Sequence, residues 1–487
     1  MNFKKLCAAV LTIAATFSAA SCDFLHSHTF ANTYSFDETY HWKQATCGCD
    51  AVSDKNEHDL ANGECSACGY EIPEATFSYE VFGVGVDKTI SLSTASAEHV
   101  KSVVYASTSE HIAINHEDNT ILGVSLGVAE VSATVTYTDG STSTTSCQVE
   151  VNNGCYETLT MQENFVKWTG RNFVYQNAVN CFNTASGFEI TFYGTQLKAE
   201  LTSAGSQTPR ICVLIDEQGS PSEKIIDLTK NKTKQEITLA EGLTEGYHTV
   251  KVYKITEASH NSLAVNSLQT DGFFYAKPQE KELKIEFYGD SITTGYLNLR
   301  EVFEEDGVSN EKMQNGCLTY AWLAAQSLNA EINVIARAGI GMNYSHGANY
   351  FMKNAWTQTY CSEKDFLGYN NYNPSWNFEN YVADVVVINI GSNDYWGPAS
   401  NYATFQQDIS YLCRDLFKKH GDDLKIVLAY GMMTNGNGAE LEAVANKHDN
   451  VYAIELDKSL QDHPMVFEHE IAAKTLAKFI QEKVLNA

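Results

Sequence analysis

Apolar and polar residues keep different rhythms in the two halves of the chain. Between residues 153 and 278, β-rich runs recur, among them Gly187-Phe188-Glu189-Ile190-Thr191-Phe192-Tyr193-Gly194, Ile211-Cys212-Val213-Leu214-Ile215-Asp216 and His248-Thr249-Val250-Lys251-Val252-Tyr253. Turns rich in Gly, Ser and Asn separate them, which predicts an all-β sandwich. A second β-rich block, residues 77–152, carries Val103-Val104-Tyr105-Ala106-Ser107-Thr108-Ser109, Ile121-Leu122-Gly123-Val124 and a long run from Gly127 to Val135. Beyond Lys277-Pro278 the rhythm changes. Lys284-Ile285-Glu286-Phe287-Tyr288, Glu331-Ile332-Asn333-Val334-Ile335-Ala336 and Asp384-Val385-Val386-Val387-Ile388-Asn389-Ile390 read as strands, the last apolar enough to be buried on both faces. Phe405, Ile409, Leu412 and Leu416 fall at helical spacing, and a last helix runs from about Phe467 to Leu485 with Ile471, Ala472, Thr475, Phe479 and Val484 near one face. With further strands near 427 and 453, this alternation predicts an α/β domain over residues 279–487.

Four short segments in that domain carry chemistry. Gly289-Asp290-Ser291-Ile292-Thr293 follows the first strand, so Ser291 sits where open α/β sheets present their sites, with its amide at a helix start. As a structural residue it would be only a helix N-cap. Gly339, after the second strand, allows a bare backbone amide to face a substrate, although a turn alone would also ask for glycine. Gly391-Ser392-Asn393-Asp394 follows the third strand, and the Asn393 amide can donate to a developing oxyanion or satisfy its own turn. His463, in a loop before the last helix, can act as a general base. Nucleophile, oxyanion donors and base are the parts of acyl transfer through a serine.

These blocks resemble the SGNH (GDSL) hydrolase superfamily, whose flavodoxin-like, three-layer fold carries Ser, Gly, Asn and His in this order. The resemblance implies that Ser291 is the nucleophile, that the Ser291 and Gly339 amides and the Asn393 side chain form the oxyanion hole, and that His463 is the base. The superfamily usually keeps an aspartate three residues before the histidine, where this chain has Leu460. Asp462 adjoins His463, and neighbouring side chains in an extended loop point apart; Asp457 reaches only if the loop folds back. A main-chain carbonyl accepting from the imidazole is the remaining orienter, giving a Ser–His dyad or a weakly assisted triad.

Residues 155–487 as a whole look like carbohydrate esterase family 2, in which a jelly-roll domain precedes the hydrolase. The match lies in Val166-Lys167-Trp168-Thr169-Gly170-Arg171, Gly246-Tyr247-His248-Thr249-Val250, the segment leading into Ser291, and Ala336-Arg337-Ala338-Gly339-Ile340-Gly341-Met342. It implies removal of O-acetyl groups from plant cell-wall polysaccharides such as xylan and mannan, with no cofactor for catalysis. A lipase or thioesterase on other acyl esters, and a surface glycan-binding protein with an inactive hydrolase domain, are the rival readings. An insertion between Gly341 and Asp384 is dense in aromatics, including Tyr344, Tyr350, Trp356, Tyr360, Phe366, Tyr369, Tyr372, Trp376, Phe378 and Tyr381. Such rings either line a saccharide cleft or staple an irregular loop to the domain. Tyr395, Trp396 and Trp376 are the substrate-binding candidates.

The amino terminus and the charge bound location and partners. Lys4 and Lys5, an apolar stretch from Leu6 to Phe17 and Ser18-Ala19-Ala20-Ser21-Cys22 read as a lipoprotein signal peptide over residues 1–22, with Cys22 lipidated. The expected protein is thus a bacterial lipoprotein, anchored to a membrane and facing the cell surface or periplasm. With 33 basic and 60 acidic residues the net charge is −27, which disfavours nucleic acid and leaves a neutral acetylated glycan unaffected. Residues 23–75 form a small ribbon rich in Cys and His, where Cys65-Ser66-Ala67-Cys68-Gly69 has knuckle spacing. Either disulfides or a structural zinc held by Cys47, Cys65, Cys68 and His41 or His58 would staple it. The block over 77–152 resembles a bacterial immunoglobulin-like group 2 domain, the kind that serves as a spacer.

Overall fold

A computed structural model describes residues 27–486, apart from 38, 62–63, 72–73, 96–98, 217–219, 303–307, 435 and 461. The signal-peptide reading and Cys22 lie outside the described residues. The chain forms two compact units: one holds the described residues up to Thr76 with Thr94–Val104 and Thr134–Thr144, the other Phe77–Ser93, Tyr105–Ala133 and Thr145 onward.

In the larger unit the C-terminal domain is built on five parallel strands: β1 (Lys284–Gly289), β2 (Glu331–Ala336), β3 (Val385–Asn389), β4 (Lys425–Gly431) and β5 (Val451–Leu456). Their order across the sheet is β2-β1-β3-β4-β5. Every residue of β3 is buried, and its side chains alternate between two cores. Val385 and Val387 join the core containing Ile285, Phe287, Val334 and Leu476, whereas Val386 and Ile388 join Tyr288, Ile335, Ile409, Leu412 and Leu416 on the other face. Each such side chain contributes roughly 1.5–3 kcal/mol on burial, which is why a run with no polar alternation is stable only as the middle of three layers. Helix Phe405–His420 covers one face with the residues its spacing predicted. Helices Tyr320–Ser327 and Val466–Phe479 cover the other. In the last helix the buried stripe is Ala472, Ala473, Leu476 and Ile480. Ile471, expected on that stripe, is 46% exposed, because it lies one residue, about 100° of helical turn, from Ala472.

Residues 153–278 form two antiparallel sheets. Phe188, Ile190 and Phe192 of one interdigitate with Leu197, Leu201, Leu263 and Val265 of the other. Strand Phe273–Ala276 also meets strand Val81–Gly85, and Asn152 bridges the junction by donating to the Phe274 carbonyl and accepting from the Phe274 amide, both at 2.9 Å. Gly83 is needed there: a Cβ on it would stand 1.9 Å from the Phe274 carbonyl oxygen.

The sandwich grips the C-terminal domain through Arg171. This fully buried side chain donates from Nε to Glu286 of β1 at 3.0 Å, from Nη2 to the Tyr288 hydroxyl at 2.6 Å, and from Nη1 to the Trp356 and Gln358 carbonyls at 2.7 and 2.8 Å. Nearby, the aromatic insertion settles on the sandwich. Tyr360 stacks on Phe173, Tyr372 on Tyr175 and Tyr369 on Phe182. These rings therefore staple a loop between two domains, and the saccharide-cleft alternative fails for them.

Candidate active site

The order β2-β1-β3-β4-β5 reverses direction between β1 and β3, and a ligand-binding crevice opens at the carboxyl ends of strands at such a switch point. Ser291 follows β1 and Asn393 follows β3, so the topology alone brings the first and third blocks together. Asp290 caps the short helix Ser291–Thr294 by accepting from the Ile292 amide at 3.0 Å, which fixes the serine at the helix start. Burial pushes the Asp290 carboxyl up to about 7, against the pull of that amide.

His463 comes in from the far end of the sheet. Its Nε2 stands 3.0 Å from Ser291 Oγ, although 172 residues separate the two in sequence. Burial lowers the imidazole's pKa; the Asp462 carboxylate opposes this and the Arg300 guanidinium adds to it. The loop that holds His463 is tied down by Glu468, which accepts from the Leu460 amide at 2.7 Å, from the Met465 amide at 2.8 Å and from the Ser459 hydroxyl at 2.8 Å. Tyr296 packs edge-on against the imidazole, with ring centroids 5.1 Å apart.

The surroundings of Nδ1 correct the sequence reading. No main-chain carbonyl accepts from it among the described residues. Its nearest carboxylate oxygen is Asp462 Oδ2 at 3.6 Å, beyond hydrogen-bond length but within strong electrostatic range. The chain bends at Asp462 and His463, so the rule that neighbours point apart does not hold. Arg300 completes the bend by donating to Asp462 Oδ1 and to the His463 carbonyl, both at 2.5 Å. Nothing in the sequence around Arg300 flags this role. Leu460 is 85% exposed and offers the imidazole nothing. Asp457 is exposed after β5, and no contact joins it to His463 among the described residues.

The donors expected for an oxyanion are backbone amides and the Asn393 side chain. Among the described residues, neither the Ser291 nor the Gly339 amide is engaged by a backbone carbonyl. Gly339 has φ +79°, and a Cβ there would press on the His346 carbonyl oxygen at 2.9 Å, so glycine is required twice over. Asp394, fully buried, holds the loop beyond Gly339 by accepting from the amides of Met342, Asn343 and Tyr344 at 2.7, 2.6 and 3.0 Å. On the other flank Glu257 of the sandwich accepts from the Ala338 amide at 2.6 Å. Asn393 Nδ2 donates to the Ile340 carbonyl at 2.8 Å and, at the longer distance of 3.5 Å, to Asp290 Oδ2. Asp394 was within reach of sequence reasoning, since it ends the Asn393 block; Glu257 was not.

Tyr395 and Trp396 are 41% and 71% exposed beside Asn393, as a substrate-facing pair would be. Trp376 is withdrawn as a contact: it is buried, with the Arg171 guanidinium 5.4 Å from its ring. A cavity of 370 Å³ lined by Glu189, Lys251, Lys281 and Glu331 lies by the amino ends of β1 and β2, the opposite edge from Ser291. In the smaller unit, His41, His58, Cys65 and Cys68 converge, while Cys47 groups with His28 and Cys49. Cys47 is thereby separated from the ligand set expected for it, because it lies in the turn that closes the hairpin of strands Tyr40–Gln44 and Val52–Glu57, whereas His41 and His58 lie toward the open end.

Sheet order, switch-point serine and facing histidine are those of a GDSL-like hydrolase domain. The family model described as GDSL-like Lipase/Acylhydrolase matches residues 285–440, and the one described as Carbohydrate esterase 2 N-terminal matches residues 168–278. The two segments thus match the two models in that order, and the chain is similar to family 2 carbohydrate esterases and acetylxylan esterases. A cellulase/esterase of Acetivibrio thermocellus is 29% identical over 345 residues, 66% of this chain and 39% of that protein. An acetylxylan esterase / glucomannan deacetylase of Cellvibrio japonicus is 26% identical over 249 residues, 50% of this chain and 64% of that protein. The chain therefore spans less than two thirds of either relative. A family two carbohydrate esterase from Clostridium thermocellum, solved with cellohexaose, superposes with a TM-score of 0.57 at 28% identity, covering 65% of this chain and 98% of that one.

Proposed function

We propose that this protein is a serine esterase that removes O-acetyl groups from plant cell-wall polysaccharides, acetylated xylan or mannan. The observation that carries the reading is the 3.0 Å approach of His463 Nε2 to Ser291 Oγ at the switch point of the sheet. For Nε2 to accept the serine proton, the neutral imidazole must carry its hydrogen on Nδ1, the atom that faces Asp462. Ser291 Oγ attacks the acetyl carbonyl as its proton passes to Nε2. The Ser291 and Gly339 amides, with the Asn393 Nδ2 hydrogen that leaves its long contact to Asp290, receive the negative charge that develops on the carbonyl oxygen. The imidazolium then protonates the departing sugar oxygen, and a water that gives its proton to His463 attacks the acetyl carbonyl, releasing acetate as that proton returns to Ser291 Oγ. Nothing in these steps requires a cofactor. Tyr395 and Trp396 offer ring faces to the sugar beyond the acetyl group.

The remaining modules fit a supporting role. We read residues 153–278 as a jelly-roll accessory domain, residues 77–152 as an immunoglobulin-like spacer, the Cys/His ribbon as a metal-stapled element, and residues 1–22 as a lipoprotein signal that leaves Cys22 anchored in a bacterial membrane. Among the described residues no helix is long and apolar enough to cross a membrane.

Acetate released from acetylated xylan and acetylated glucomannan, set beside hydrolysis of longer acyl esters, tests the proposal. Ser291→Ala and His463→Ala should each abolish release from the glycans while the far-UV spectrum stays that of the wild type. Near-normal turnover by Ser291→Ala, or a preference for long acyl chains over acetyl, would overturn it.

A further inference from the structure

Away from the hydrolase, the smaller unit brings four soft ligands to one point. His41 lies in strand Tyr40–Gln44, His58 follows strand Val52–Glu57, and Cys65 and Cys68 bracket the turn after strand Glu64–Cys65. His41 and Cys65 are buried, and one ligand atom from each of the four residues lies within 4.8 Å of every other. Cys65 Sγ stands 3.7 Å from His41 Nδ1, and Cys68 Sγ 3.4 Å from His58 Nδ1. In a tetrahedral zinc site, bond lengths of about 2.3 Å to sulfur and about 2.05 Å to nitrogen put neighbouring S and N atoms about 3.6 Å apart. The two distances bracket that edge.

Outer contacts agree. His58 Nε2 lies 2.8 Å from the Asp37 carbonyl oxygen, which can only accept, so the hydrogen of the neutral imidazole is on Nε2 and its lone pair is on Nδ1. That is the nitrogen facing Cys68. The amides of Ala67 and Cys68 point at the Cys65 sulfur, and Gly69, at φ +73°, turns the chain for them. A Cys65–Cys68 disulfide would use the sulfurs and leave two imidazoles converging on nothing.

We propose that His41 Nδ1, His58 Nδ1, Cys65 Sγ and Cys68 Sγ bind one zinc ion that staples this ribbon. Each thiol gives up its proton on binding, and the four protein ligands close the site to water, so its role is structural. The inference is independent of the esterase reading.

The test is zinc per chain, by elemental analysis of the full-length protein purified without chelator, with thiols mapped by mass spectrometry. Cys65→Ser/Cys68→Ser should lose one equivalent of zinc relative to wild type, Cys47→Ser/Cys49→Ser should keep that equivalent, and acetate release should be unchanged in both. Should the first variant fail to fold, cobalt exchange into the wild type provides the second readout: thiolate-to-cobalt charge-transfer absorption, displaced by zinc, is expected. A Cys65–Cys68 disulfide in the wild type, undiminished zinc in Cys65→Ser/Cys68→Ser, or absence of the cobalt signature would each overturn the assignment.

Discussion

Asp462→Asn removes a charge whose distance and exposure limit how much it can do. Its carboxylate is 3.6 Å from His463 Nδ1 and its side chain is 72% exposed. Unit charges at that separation interact by about 1 kcal/mol in a water-like medium and about 5 kcal/mol at an effective dielectric near 20. Exposure and the competing Arg300 contact push the interaction toward the lower figure. About 1 kcal/mol on the imidazolium formed during attack corresponds to a loss of roughly five- to tenfold in kcat, against about 10⁴ for the hydrogen-bonded aspartate of a complete triad. The pH profile adds a sign. Asp462 raises the His463 pKa, so neutralising it lets that pKa fall further below the ordinary histidine value. The base must be neutral to work, and the acid limb of kcat/KM should therefore move to lower pH. Steady-state acetate release by wild type and Asp462→Asn, from the acidic to the neutral range, measures both effects. A loss of about a thousandfold or more, or an acid limb moving upward, would refute the electrostatic argument and make Asp462 a full triad member.

Arg300→Gln should do the reverse to the profile: its charge lowers the His463 pKa, so the acid limb should rise, while the unclamped bend costs several-fold in kcat. Asp394→Asn replaces a carboxylate that three amides share; with charge-assisted hydrogen bonds worth about 1.5–3 kcal/mol each, kcat should fall at least tenfold with KM changed less, as read by the same assay. Arg171→Met strands the buried Glu286 carboxylate and should destabilise the protein by about 3–5 kcal/mol in denaturant unfolding; Arg171→Met/Glu286→Met should recover much of that loss.

The sequence was legible where local pattern and tertiary demand coincide. A continuous β-branched run can only be a central strand of a covered sheet, and β3 is that. Once strands end at Gly289 and Asn389, Ser291 and Asn393 must share an edge. It was illegible where one side chain serves two domains. Trp376 and Tyr360 have the composition of a sugar platform, yet their partners Arg171 and Phe173 lie some two hundred residues upstream, and no periodicity encodes that pairing. The orientation of Asp462 depended on a bend held by Arg300, again from another segment. Cys47 failed for a similar reason: spacing relates cysteines along the chain, whereas the strand pair determines which of them face His41.

Those cross-domain contacts also tie the sandwich and the C-terminal domain into one block. Arg171 reaches Glu286 and Tyr288 on the strand that delivers Ser291, and Glu257 reaches the amide next to Gly339. Both carboxylates are fully buried: Glu286 takes the Arg171 guanidinium from across the domain boundary beside Tyr288 and Asn333 of its own domain, and Glu257 takes the Ala338 amide from across it beside its own His260. Without the sandwich, Glu286 within β1 would lose its guanidinium partner, and the Ala338 amide, just past β2, would lose its acceptor. The sandwich thus buttresses both the strand that leads to Ser291, through Arg171, and the turn that leads to Gly339, through Glu257.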